Sequence, residues 1–298
     1  MIASQVENHR PTEVDEYDVT FGVSADGFPV ACIGDTTLAM VPMADGSAAF
    51  LASAWRLTRP LSELKRQDFL GHVGRLKGEA EFRARVFETV RHRAELAALR
   101  RQQVHMSCST PWGASQQATI YADGIVSHTS SSHGGFHLSA ARNVKVLPTL
   151  RNASGWYEED AEWAIVALTF PDVFTTYERR CCDETVRNTW PVEWEQIHGR
   201  SLEPGESWIK DKNAFEQMHV GDWVVTSAIR SSLQAGMVEV VARRSSAGIS
   251  QDEESRFLVP SAEYETRGRF GFVIDEQRHA VYEGPSDFLG CPPRRTGP

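Results

Sequence analysis

Two of the chain's three Ala-Asp-Gly triplets, those at residues 25–27 and 122–124, do most to limit what this 298-residue chain can fold into. Each stands between two short runs of strand-forming residues: 17–24 and 28–33 around the first, 117–121 and 125–128 around the second. A glycine closing such a turn takes positive φ without steric cost, so both triplets predict β-hairpins, which join antiparallel strands. Asp35 leads into a third run, 36–41, which extends the first hairpin to a meander.

Helical signals fill the middle of the chain. Residues 50–57 read as a short helix, and Pro60 opens another over 61–71, because proline suits a first helical turn. The longest helix is expected over 79–102, where Phe82, Val86 and Val90 repeat at four-residue steps. Glu79 to Arg83 and Glu81 to Arg85 are acid-before-base pairs at i,i+4. With Arg91, Arg93, Arg100 and Arg101, this run reads as a solvated face laced with ion pairs in preference to a phosphate-binding surface. Beyond the second hairpin, Ser130–Ser132 with Gly134 and Gly135 reads as a flexible loop. Helix is expected from about Tyr157, interrupted at Pro171 and resumed over 173–188, and again over 205–218. Four runs near the C-terminus, 223–229, 237–243, 257–259 and 270–274, read as strands, with 245–255 a polar loop and a loose tail after Pro285. Strands, then helices, then strands predict an α+β fold, antiparallel sheet segments with a central helical region. The end of the long helix suggests a boundary: an N-terminal meander with helices over 1–103, and a main α+β domain over 104–298.

The net charge is −9, with acids and bases intermixed, which argues against a broad grip on nucleic acid. Residues 1–16 are polar and acidic, and no stretch approaches the roughly 18 apolar residues of a membrane span, so no membrane association is expected. The five cysteines, Cys32, Cys108, Cys181, Cys182 and Cys291, are odd in number and lack CxxC spacing. That usage predicts a reduced, cytoplasmic protein.

Chemistry concentrates between Cys108 and Trp163. His133 and His137 flank Gly134 and Gly135, which would let backbone amides approach a ligand; His128 adds an imidazole nearby. Four apart, the two histidines share a side in a helix or a strand, and they are the candidate metal ligands, zinc being the ion imidazole suits. The metal is weighed and not favoured, because catalytic zinc usually takes three protein ligands and no H-E-x-x-H or C-x-x-C pattern supplies them. Glu158, Glu159, Asp160 and Glu162 lie within five residues, between Tyr157 and Trp163. They offer a general base or metal ligands, or simply the acids that favour a helix N-terminus. His133, Glu158 and Glu159 are accordingly the candidate catalytic residues, with His137, Gly134, Gly135, Asp160 and Trp163 as candidate binding residues. A Cys108–His133 nucleophilic pair is weighed and set aside, since a single cysteine is more often a small buried apolar residue. Trp112 reads as part of a packed turn. Phosphate-loop, dinucleotide-binding, nucleophile-elbow and kinase signatures are absent.

TPWG-x-x-Q from Thr110, SHGGFHLS from Ser132 and WYEEDAEWAIVALTFP from Trp156 together resemble a family of alphaproteobacterial proteins, found also on plasmids and phages. The segments GESWIKDKNAFE and GDWVV resemble it too. No activity is implied, but genomic company is. Mobile elements carry proteins that shield incoming DNA from host defences. The resemblance therefore implies a mobile-element accessory protein, a counter-defence binder or inhibitor of a host protein. The residues themselves keep a different class open: a hydrolytic or metal-assisted enzyme using His133, His137 and an acid from Glu158–Asp160.

Overall fold

The computed structural model describes residues 19–43, 46, 48–244 and 253–288. The chain divides into two compact units, Met1–Val186 and Arg187–Pro298.

The first unit opens with an antiparallel meander, β1 (Val19–Val23), β2 (Pro29–Ile33), β3 (Thr36–Pro42), β4 (Ala49–Trp55) and β5 (Gly71–Leu76), paired in that order. Gly27 closes the first hairpin at φ 84°, the conformation its turn requires. Alternation along the strands splits the meander into two apolar faces. Ala31, Ile33, Leu38, Leu51 and Leu76 meet Phe82, Val86 and Val90 of helix α1 (Glu79–Leu99). Phe28, Val30, Ala39, Val41 and Ala52 pack with Leu64 and Phe69 from the β4–β5 connection.

Two helical expectations fail here. Residues 50–57 form most of β4, and residues 61–71 hold only single 3₁₀ turns, Leu61–Glu63 and Arg66–Asp68. β4 is covered on both faces, so it shows no alternation of polarity, and a short apolar run reads equally as helix or strand. Pro60 does start a turn, but Leu64 leaves helical geometry at ψ 143° and buries its side chain completely.

Helix α1 carries the predicted stripe and ends at Leu99, where Arg100 turns left-handed at φ 48°. On the helix Arg83 pairs with Glu79 at 3.0 Å and Arg85 with Glu88 at 3.0 Å, and Arg101, just past its end, pairs with Glu178 at 2.6 Å. The expected Glu81–Arg85 pair is replaced, because Glu81 accepts from the Lys77 amide at 2.8 Å.

A second antiparallel sheet follows, from β6 (Gln102–Val104), β9 (Gln117–Ala122), β10 (Ile125–Thr129), β11 (Gly134–Leu138) and β12 (Trp156–Glu158), in the order β12-β11-β10-β9-β6. A miniature hairpin, β7 (Ser109–Thr110) and β8 (Gly113–Ala114), precedes β9. Short α2 (Ala140–Asn143) and α3 (Trp163–Thr169) follow β11 and β12, and most of α4 (Thr176–Thr189) belongs to this unit, which ends at Val186. Phe136 packs against Tyr121 and Phe174, while Tyr157 is fully buried and donates its hydroxyl to Asn143 Oδ1 at 2.5 Å.

The second unit contains α5 (Pro191–His198), α6 (Trp208–Met218) and an antiparallel sheet of β13 (Val224–Arg230), β14 (Met237–Arg244) and β15 (Glu253–Pro260), then α7 (Ser261–Tyr264). Trp223, Val240, Phe257 and Val259 form its core. The run 270–274 joins β13 only through the Val224–Val273 bridge, and so is not the full strand expected. Of the predicted loop 245–255, residues 245–252 lie outside the described residues and the rest belong to β15. The chain after Pro285 begins tied down: Ser286 Oγ and the Asp287 amide donate to Glu239 at 2.6 and 2.8 Å. Residues 289–298 lie outside the described residues. Cys32, Cys108, Cys181 and Cys182 are free thiols, and Cys291 falls outside that range. No helix among the described residues is long and apolar enough to cross a membrane.

Candidate functional site

The sequence between β10 and β11 is a tight turn. The Ser130 hydroxyl donates to the His133 carbonyl at 2.6 Å, and the Ser130 amide donates to the same oxygen at 2.8 Å. Gly134 and Gly135, expected as flexible loop, are instead the first residues of β11, and close approach is what requires them. A Cβ on Gly134 would lie 2.5 Å from Glu159 Oε2 and 2.6 Å from the His128 carbonyl oxygen. One on Gly135 would lie 2.3 Å from both Trp112 Cη2 and the Tyr157 carbonyl oxygen. The pair lets a carboxylate and an indole lie directly on the strand.

The acidic run is not the first turn of a helix. Tyr157 and Glu158 are in β12, paired with Phe136 and Gly135, and helix begins only at Trp163. Burial of the Tyr157 ring holds the backbone extended, and the acids then tie up the turn that follows. Glu158 Oε2 accepts from the Asp160 amide at 2.7 Å, Glu162 Oε2 accepts from the Glu158 amide at 3.0 Å, and the Glu159 amide donates to the Gly134 carbonyl at 3.1 Å. That last bond brings the acidic turn against the turn carrying His133.

His133 Nδ1 lies 3.9 Å from Glu159 Oε1, with both side chains about half exposed. His133, Glu158 and Asp160 each offer a ligand atom, and the three atoms lie within 4.8 Å of one another. Two ligands about 2.1–2.4 Å from a shared cation can be no more than ~4.8 Å apart, so this spacing fits one ion. Glu158 Oε1 is sealed from solvent and has no hydrogen-bond partner. An unsatisfied buried acceptor costs about 1–3 kcal/mol, more when charged, and a cation would remove that cost.

His137 does not join this group. Register puts it opposite Trp156, on whose ring it packs at 4.5 Å, one pair further along the strand face than Gly135 and Glu158. The four-residue spacing from His133 misleads because His133 sits in the turn, outside the strand. Trp163 packs against Phe174 with ring centroids 6.4 Å apart. His128, opposite Gly135 on the same face, is buried against Trp156, with its Nδ1 3.1 Å from Ser115 Oγ. Burial pulls the His128 and His137 imidazoles below the ordinary histidine range, and His137 lowers His128 further. Both are therefore held neutral. Alternation along β10 is the signal that would have placed His128 beside Gly135 and His137.

One imidazole and two carboxylates suit zinc or a similar divalent ion, and the exposure of His133 and Asp160 leaves positions for water. Glu159 stands beside them as a further carboxylate.

Residues 105–220 match the model of a domain described as "Domain of unknown function (DUF7007)". The matched stretch contains every residue of the cluster. Comparison with curated proteins and with solved structures returned no match.

Proposed function

We propose that His133, Glu158 and Asp160 bind a divalent cation and that the protein is a metal-assisted hydrolase. The sealed, unpartnered Glu158 Oε1 carries this reading. The cation would polarise an electrophilic carbonyl or phosphoryl oxygen, or lower the pKa of a bound water. Glu159, 3.9 Å from His133, would take a proton as general base. Calorimetric titration of the purified protein with Zn²⁺ and Mn²⁺ tests it. One saturable site is expected, weakened at least about tenfold in Glu158→Gln, which keeps the side chain's shape while removing its charge. Equal binding by the two proteins would refute the assignment.

A second reading rests on a different observation. Val73 is 60% exposed on β5, an edge strand of its sheet, and Leu70, the residue before that strand, is 93% exposed. An open strand edge with apolar side chains is a template for strand addition by a partner. Here the chain is a mobile-element accessory protein that binds a host protein in counter-defence, in keeping with the family resemblance and the acidic charge. The same Glu158→Gln protein separates the two readings. A host defence protein retained equally by wild type and variant supports binding, and retention of none counts against it.

A further inference from the structure

The β7–β8 hairpin bends the chain back so that the Ser115 amide donates to the Cys108 carbonyl at 2.9 Å, setting these two residues side by side. Their side chains converge on one atom. Ser115 Oγ lies 3.1 Å and Cys108 Sγ 3.7 Å from Nδ1 of His128. A neutral imidazole nitrogen offers one in-plane lone pair, so it accepts one of these donors well and not both. Ser115 has an alternative acceptor, the Gln117 carbonyl at 3.3 Å. When the hydroxyl turns to Gln117, Nδ1 is left to the thiol.

The surroundings select which donor can react. His128 is 4% exposed and Ser115 6% exposed, whereas Cys108 is partly open to solvent. An electrophile reaches the sulfur and not the hydroxyl. Trp156, with its ring 5.3 Å from the imidazole, packs against His128, and burial keeps that imidazole neutral and able to accept a proton.

We infer that Cys108 and His128 form a thiol–imidazole pair that attacks electrophilic carbon, with Ser115 as the competitor that occupies the base at rest. In the step, the thiol proton passes to Nδ1 and a sulfur electron pair forms the S–C bond. The leaving group departs with the electrons of its bond to carbon, and the imidazolium releases its proton to water. Nothing in this depends on the cation cluster, whose residues contribute none of these atoms.

Iodoacetamide is the probe, with iodide as leaving group, and peptide mass spectrometry reads each cysteine separately. At pH 7, His128→Gln is expected to slow carbamidomethylation of Cys108 about tenfold, and Ser115→Ala to quicken it several-fold. Unchanged rates at Cys32 and Cys181 show that each variant remains folded. The titratable group that bears on His128 is His137 on β11. Between pH 6.5 and 8 the wild-type rate is expected to climb less steeply than that of His128→Gln, in which reaction must await thiolate formed by the bulk solvent. Identical rates and pH slopes at Cys108 in wild type and His128→Gln would overturn the inference. So would a Ser115→Ala rate equal to wild type, which keeps the question decidable if His128→Gln fails to fold.

Discussion

Replacing Gly135 with alanine adds one methyl group at the most crowded point of the candidate site. The new Cβ would sit 2.3 Å from Trp112 Cη2 and 2.3 Å from the Tyr157 carbonyl oxygen. The indole can withdraw, since Trp112 is on the short β7–β8 turn, but the carbonyl belongs to β12 and is held by pairing to β11. Overpacking a well-packed interior typically costs about 1–3 kcal/mol, and a clash with paired backbone belongs at the upper end. We expect a loss of about 3 kcal/mol in the first unit, equivalent to a Tm lower by about 6–12 °C for a unit of this size. Urea unfolding followed by tryptophan fluorescence measures the first figure and calorimetry the second. A double-mutant cycle sharpens the test. Trp112→Ala relieves only the indole contact, so Trp112→Ala/Gly135→Ala should remain much less stable than Trp112→Ala alone. A loss below about 0.5 kcal/mol for Gly135→Ala, or full rescue by Trp112→Ala, would refute the view that glycine serves close backbone approach here. Because Glu158 follows Tyr157 directly, the same substitution should also weaken cation binding.

In the second unit, Glu239 is fully buried and bonds Arg256 at 2.8 Å, and the arginine side chain is 11% exposed. Glu239→Leu strands that guanidinium and should cost about 3–5 kcal/mol in urea unfolding followed by tryptophan fluorescence, whereas Glu239→Leu/Arg256→Met should recover only part of it, because Ser286 Oγ and the Asp287 amide lose their acceptor in both variants; a single-variant loss under 1 kcal/mol would contradict the argument. His128 and His137 have imidazoles depressed by burial, so the unfolded chain binds protons first as pH falls. Their contribution is present above the unfolded histidine pKa near 6.5 and is lost as pH drops from there through the folded values. Tm should therefore decline between about pH 6.5 and 5, and His137→Gln should flatten that decline; an unchanged slope would show that the imidazoles are not held neutral.

What was legible in the sequence is what local chemistry decides alone. The Ala-Asp-Gly turns declare their hairpins because Gly27 and Gly124 take positive φ, at 84° and 73°. The Phe82, Val86, Val90 stripe declares α1 because one face of it is buried. β4 escaped because both its faces are covered, and β12 escaped because its acids imitate a helix start. They serve instead as acceptors for the amides of the turn after Tyr157. The site was half legible for the same reason. His133 and the acids were visible as neighbouring polar motifs, yet which of them meet is set by register. Pairing Gly135 with Glu158 brings the acidic turn to His133, and pairing His137 with Trp156 takes the second imidazole away. A shift of one residue would send Glu158 to the opposite face of the sheet. Cys108 and His128, twenty residues apart, meet only because the β7–β8 hairpin folds back. The glycines tie these outcomes together. Taken as flexibility, they predict a mobile loop; as the two positions in β11 where a side chain cannot fit, they explain how a carboxylate and an indole come to lie on one short strand.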